Sequence, residues 1–357
     1  MVAPDSHGAG SLHVVVDARS ADGQPTGIGV YTDALLEAWS ELPEGQRPQV
    51  TSLDRSAGSG ARWHLRAWRT ARSSKGSIYY SPDSLIVPLL VGRKAVVTIH
   101  DLAALLHPER HAKRVTLAHR LLMGPAVRRV GAILVPSDAV LEDLLRAFPN
   151  AASKTTVVKE GSRFSSARFE SEATSAPNRA RPYALCVGTI EPRKNTIPLI
   201  EAFIAAGDPG WDLIVVGRMG QYSPEEVARF EQLVAGESRI EWRGYVSDEE
   251  LSALYGSASA VAYPSCAEGF GLPVLEAMTC GVPVLTTDDP ALAELAGDAA
   301  LMISASFAQP ELVEAVRRIT TDEVLRAELA AKGTARAAEF SWERAGAEAL
   351  AVIRTVA

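Results

Sequence analysis

The chain has 357 residues, 47% of them hydrophobic, with a mean hydropathy of +0.03; this suits a soluble globular protein with length enough for two domains and full cores. Its 43 acidic and 36 basic residues leave a net charge of −7, which argues against general nucleic-acid binding, since that wants a basic footprint. No uninterrupted apolar run approaches the length of a bilayer span.

Residues 1–11 are polar and Gly-rich, so they read as a lead-in rather than a signal peptide, and a cytoplasmic location is expected. Residues 12–17 (L-H-V-V-V-D) make a buried first strand. The segment T-G-I-G-V-Y-T from Thr26 to Thr32 follows, then a helix through Leu35, Leu36 and Trp39. Strand, glycine turn and helix open a Rossmann-like unit. A G-x-G turn is common, so Gly27 and Gly29 serve a tight turn as readily as a ligand. Residues 61–75 hold five cations, two tryptophans and no acid within one expected helix. Such a composition suits docking on an anionic membrane surface. The preferred reading is a surface helix whose Trp63 and Trp68 pack inward or line an acceptor cleft, because the run is short for stable anchoring. Further strands are expected at 77–81, 95–99 and 132–136, with a helix over 138–148 behind Ser137 as N-cap. His100 stands at the carboxyl end of the strand 95–99, where an α/β cleft opens, although a lone histidine is structural as readily as functional.

Val157 and Val158 end the first half, and the polar stretch 163–182 reads as an interdomain linker. The expected domains are 1–170 and 171–340. Strands at 185–188, 213–217, 240–243, 260–263 and 283–286, with helices at 251–257 and 310–332, repeat the alternation of a doubly wound parallel α/β sheet. A terminal helix opens behind Ser341.

Two clusters in this half carry chemistry. The strand 185–188 runs into T-I-E-P-R-K-N, which puts Arg193 and Lys194 beyond its carboxyl end, where such sheets bind ligands. Two adjacent cations there would neutralise a diphosphate leaving group, Arg by a bidentate grip and Lys as a point charge. The second cluster is E-G-F-G-L-P-V-L-E, from Glu268 to Glu276. Its glycines allow a tight turn, Pro273 fits a helix start, and the helix then aims its free N–H groups at a phosphate. Glu268 and Glu276 would flank that ligand and accept from sugar hydroxyls. Alone, the motif also fits a glycine turn and a solvated helical glutamate. The loops around Arg218 and around Tyr245 and Val246 follow two further strands and equally fit ordinary βα connections. The three cysteines, Cys186, Cys266 and Cys280, lack zinc spacing and read as small packed hydrophobes in a reducing compartment. Asp288 and Asp289 are adjacent rather than spaced as a D-x-D metal clamp, so they read as a cap, and neither metal nor cofactor is expected.

Together these clusters resemble the retaining glycosyltransferases of the GT-B fold, in particular the large family four with its E-x7-E motif. The resemblance is most specific from Gly188 to Asp288, and the H-D-L and E-P-R-K-N segments are most similar to mannosyltransferase-like members. It implies two Rossmann-like domains facing a cleft, with the terminal helix 341–357 crossing back to the first. It implies that Glu276 holds the ribose of a nucleotide-sugar co-substrate and that Glu268 holds hydroxyls of the donor hexose. Backbone N–H groups around Phe270, Gly271 and Leu272 would meet the sugar or diphosphate. His100 would contact the donor sugar, often its 6-hydroxyl, and Gly27 and Gly29 would face the donor phosphates or acceptor. Arg218, Tyr245 and Val246 would lie near the base. GDP-mannose is the first donor expected. The acceptor would be a sugar, a lipid-linked or a small-molecule hydroxyl; the second reading of 61–75, a peripheral contact with the inner membrane face, would suit a lipid-linked one.

Two alternatives share the fold: a sugar-nucleotide epimerase and a non-catalytic nucleotide-sugar-binding subunit. A glycosidase would need its two carboxylates on opposite sides of a glycosidic bond, and Arg193 and Lys194 would have no evident task.

Overall fold

A computed structural model describes residues 12–23, 27–58, 60–73, 76–106, 108, 113–164 and 181–357. The first half comprises β1 (His13–Asp17), α1 (Gly27–Glu41), β2 (Gln49–Leu53), α2 (Gly60–Ser73), β3 (Ile78–Ser81), α3 (Ile86–Val91), β4 (Ala95–Thr98), α4 (Ala103–Leu106), α5 (Lys113–Arg129), β5 (Ala132–Val135), α6 (Asp138–Ala147) and β6 (Thr155–Val157). Its sheet has the order β2-β1-β3-β4-β5-β6, and every neighbouring pair is parallel.

The second half comprises β7 (Tyr183–Val187), α7 (Thr196–Ala206), β8 (Asp212–Val216), α8 (Pro224–Gly236), β9 (Ile240–Trp242), α9 (Asp248–Ser257), β10 (Ala260–Tyr263), α10 (Leu272–Thr279), β11 (Val284–Thr287), α11 (Pro290–Ala296), β12 (Ala300–Ile303), α12 (Gln309–Thr321) and α13 (Glu323–Ala337). It forms a second parallel sheet in the order β12-β11-β10-β7-β8-β9. The chain is thus an α/β protein with two doubly wound sheets. Strands buried on both faces need continuous apolar runs, and β3, β4, β5, β7 and β10 are buried throughout.

Each sheet reverses its winding once, between β1 and β3 in the first and between β7 and β10 in the second. The loops at such a point splay apart and leave a crevice at the strands' carboxyl ends. The last helix, α14 (Trp342–Arg354), leaves the second half and packs on the first, joining Tyr31, Leu35 and Trp39 in one core cluster. The Trp39 indole N–H donates to the Gly346 carbonyl at 2.9 Å.

Several expectations need correction. The helix expected over 310–332 is two, because the Asp322 side chain accepts from the Leu325 N–H and starts α13 afresh. Gly27 and Gly29 do not form a turn before the first helix; both lie inside its first turn. Most of the expected linker, 165–180, and the boundary at 170 and 171 lie outside the described residues. Residues 74 and 75 of the basic segment do as well. Among the described residues, no helix is long and apolar enough to cross a membrane.

Candidate active site

The loops that follow β7 and β10, the strands flanking the second sheet's reversal, are fastened to each other. After β7 the chain makes a single helical turn, Pro192–Lys194, and ends it at Asn195 in the left-handed region (φ 53°). Asn tolerates this conformation better than most residues, and such strain clusters at functional sites. The Asn195 amide donates to the Pro264 carbonyl at 2.9 Å, and the Cys266 N–H donates to the Arg193 carbonyl at 2.9 Å.

This clasp brings Glu268 against both cations. Its Oε1 accepts from Lys194 Nζ at 2.5 Å, Ser265 Oγ at 2.5 Å and Tyr263 Oη at 2.8 Å, and lies 3.0 Å from Arg193 Nη1. Lys194 also donates to the Tyr263 hydroxyl. Arg193 reaches the Ala267 carbonyl at 2.7 Å and Glu191 at 2.8 Å. Burial opposes ionisation of Glu268, but the charges of Lys194 and Arg193 outweigh it and hold the carboxyl down at about 2. Burial presses the Lys194 ammonium below its usual value while Glu268 works to keep it charged. The two cations, read from sequence as open to a phosphate, are therefore already paired with Glu268 and Glu191.

Glu276 is likewise no solvated glutamate. It is 1% exposed, with Oε1 accepting from Arg163 Nε at 2.6 Å and Oε2 from the Tyr255 hydroxyl at 3.0 Å. Arg163 continues to Asp248 at 2.8 Å. Arg163, assigned from sequence to the linker, is thus a functional-site candidate that composition hid. Gly271 sets up the helix that carries Glu276, taking φ +109° as the residue before α10. A Cβ there would also meet the Leu292 side chain at 2.5 Å.

Two adjoining cavities make one cleft. The first, about 170 Å³, is lined by Glu276, Arg163, Arg218, Tyr245 and Val246. The Arg218 guanidinium lies over the Tyr245 ring at 4.7 Å, and Tyr245 is 39% exposed. The second, about 390 Å³, is lined by His100, Glu160, Lys194, Glu268 and Phe270. Gly27, Gly188, Thr189, Leu272 and Pro273 border both. Gly29 borders neither and is buried within α1, so of the two glycines it is Gly27 that lines the cleft.

From the first domain, His100 enters the second cavity at the end of β4. Its Nε2 donates to the Pro82 carbonyl at 3.0 Å and its Nδ1 lies 3.3 Å from Glu160. Tyr31 meets the ring edge-on at 4.7 Å. Burial would lower the imidazole, but Glu160 outweighs it and raises the value above the ordinary one. Acceptors at both ring nitrogens suit an imidazolium. Glu160 was not singled out from sequence, and a hydroxyl contact by His100 must share a nitrogen with these partners. The two domains touch where Gly269 meets His100: a Cβ on Gly269 would collide with the His100 carbonyl. Ser137 Oγ seals the contact, donating to the Gly269 carbonyl at 2.7 Å, and Lys159 pairs with Glu294 at 2.9 Å beside it. Among the described residues, no three of His, Cys, Asp or Glu are grouped as metal ligands. Asp289 instead caps α11, accepting from the Ala291 and Leu292 N–H groups.

Comparison with known proteins decides the family. The family model for glycosyl transferases group 1 matches residues 167–336. The O-antigen chain mannosyltransferase B of Escherichia coli is 31% identical over 300 residues, covering 78% of this chain and 74% of that protein. The chain belongs to the group 1 glycosyl transferases. Solved structures show the same GT-B fold at low identity. Sucrose-phosphate synthase from Thermosynechococcus elongatus aligns with a TM-score of 0.76 at 19% identity, over 97% of this chain and 98% of that one. Anabaena HepE, in complex with UDP and glucose, aligns at 0.77 and 19%, over 96% and 100%. This group 1 glycosyltransferase is therefore an enzyme of mannosyltransferase-like sequence, with its cleft between two Rossmann-like halves.

Proposed function

We propose that this enzyme moves a hexose from a nucleotide-diphosphate sugar to an acceptor hydroxyl, with retention at the anomeric carbon and without a divalent metal. One observation carries the reading: the paired Arg193 and Lys194 and the buried Glu276 line two adjoining cavities that share Gly27, Gly188, Thr189, Leu272 and Pro273, on the loops that flank the sheet's reversal. Glu276 accepts from the ribose hydroxyls, sharing its oxygens with Arg163 and Tyr255. Arg218 and Tyr245 border the base, and the N–H groups at the start of α10 meet the diphosphate.

The bond from the anomeric carbon to the phosphate oxygen breaks with its electron pair going to that oxygen. Arg193 and Lys194 stabilise the charge that develops there, which is the work a metal does elsewhere. The acceptor oxygen bonds to the same face of the anomeric carbon, and its proton passes to the departing phosphate. Glu268 fixes both cations through one oxygen before the donor arrives, and its second oxygen accepts from the hexose hydroxyls. His100 closes the sugar site from the other domain.

Mannose from GDP-mannose is the first donor to try, because a relative matched over most of both chains is named a mannosyltransferase. The acceptor class is a sugar hydroxyl, free or carried on a lipid. The free thiols of Cys186, Cys266 and Cys280 fit a cytoplasmic enzyme.

The test is to incubate the enzyme with GDP-mannose and octyl α-mannoside in a chelator and to read the product's anomeric signal by NMR. An α-linked disaccharide formed with stoichiometric GDP is the expected result. A β-linked product would overturn retention. GDP released without acceptor, or an epimerised donor, would overturn transfer.

A further inference from the structure

The first domain carries a face that the cleft does not use. Among the described residues, six of the ten exposed large hydrophobics fall on α2, α3, α4 and α5: Leu65, Ile86, Leu90, Leu106, Leu117 and Leu121. Leu117 and Leu121 are 57% and 63% exposed and stand one turn apart on α5. The helices are contiguous, α2 packing on α3, α3 on α5 and α5 on α4. Scattered exposed leucines are ordinary, but six exposed large hydrophobics gathered on contiguous helices point to an interaction surface.

Charge identifies the partner. The chain as a whole is acidic, yet α2, α3, α4 and α5 contain no Asp or Glu. α2 supplies four arginines and α5 five basic residues. On α2, Trp63 is fully buried and Ala67 and Ala71 face the core, so Arg62, Arg66, Arg69 and Arg72 are turned outward. Arg62, Leu65, Arg66 and Arg69 line one shallow groove. A row of arginines beside protruding leucines matches a lipid interface, where guanidinium groups meet anionic headgroups and leucines enter the acyl boundary.

We propose that the outer face of α2–α5 is a docking surface for an anionic lipid bilayer. The helices α3 and α4 leave the carboxyl ends of β3 and β4, the edge on which His100 sits. Docking therefore holds the acceptor side of the cleft against the membrane. The lipid contact does not depend on the transferase reading; only the inference that it delivers a lipid-borne acceptor rests on that reading.

Co-sedimentation with phosphatidylcholine vesicles, with and without phosphatidylglycerol, tests the docking on the whole chain. The expected result is binding to the anionic vesicles alone, falling as salt rises. R62E/R69E should weaken it by at least about tenfold, given the contribution of each basic residue near such a surface. L117S/L121S should weaken it as well, while both variants keep the melting temperature and GDP affinity of the parent. No binding to anionic vesicles at low salt would overturn the proposal. So would L117S/L121S converting a dimer to a monomer in sedimentation velocity with vesicle binding unchanged, since the face would then belong to a second copy of the chain.

Discussion

Lys194 Nζ lies 2.5 Å from Glu268 Oε1, two residues 74 positions apart that the reversal of the second sheet brings face to face. In the proposed mechanism the pair orients Lys194 toward the leaving diphosphate before the donor binds, so little reorganisation would remain for the reaction itself. The pairing also means that removing Glu268 leaves Lys194 buried without that carboxylate, whereas removing Lys194 leaves Glu268 with Arg193 at 3.0 Å.

Lys194→Met should lower kcat by about 10²–10³, the cost typical of losing one preorganised charge stabiliser, while GDP affinity changes much less. The same substitution should raise the Glu268 carboxyl from its value of about 2, because Lys194 is the largest of the charges holding it down. Glu268 stabilises the fold above its unfolded value near 4.3 and ceases to as pH falls toward about 2. Acid unfolding followed by circular dichroism should therefore begin at a higher pH in the variant. An unchanged acid midpoint would mean the pair is not formed in solution.

Glu276→Ala should weaken GDP binding by roughly tenfold to a hundredfold, the loss of charge-assisted hydrogen bonds to the ribose. Arg163→Ala removes the partner that holds the buried carboxylate at 2.6 Å, so it should reduce both GDP affinity and melting temperature. Calorimetry beside a thermal melt separates the two effects.

How much of this was legible in sequence depended on range. Strands such as β4, β5 and β10 announced themselves because burial on both faces demands an unbroken apolar run. β2 escaped because it is an edge strand with Leu53 as its one buried residue. Arg193, Lys194 and Glu268 stood out because each sits in a short motif at a strand's carboxyl end. Glu160 and Arg163 did not. Their partners, His100 and Glu276, are distant in sequence, and nothing local distinguishes these two residues from solvated charges. Gly269 reads from sequence as part of a tight turn, and nothing local shows that its missing Cβ also makes room for the other domain's backbone at His100.

Gly269→Ala should push its new Cβ into the His100 carbonyl and part the domains at this contact. Misplacement by about 1 Å can cost on the order of 10² in rate. Turnover should fall by about that factor with GDP affinity kept, since Glu276 lies in the other cavity. Full activity would show that this contact is absent from the reacting enzyme.

His100 should titrate above the ordinary imidazole value of about 6.5. Because the value is raised in the folded state, the stabilising imidazolium–Glu160 contact is complete below about 6.5 and is lost as pH climbs through the raised value. Glu160→Gln should lower the midpoint measured by NMR and bring the alkaline loss of activity to lower pH. A midpoint insensitive to Glu160 would remove that residue from the site.

The most direct measurement is calorimetric titration of the protein with GDP, UDP and dTDP in the presence of EDTA, repeated with Glu276→Ala. One nucleotide, GDP first among them, should bind without metal and bind at least about tenfold more weakly to the variant. A folded protein that binds none of the three, or binds only once magnesium is restored, would contradict a metal-free nucleotide-sugar site at Arg193, Lys194 and Glu276.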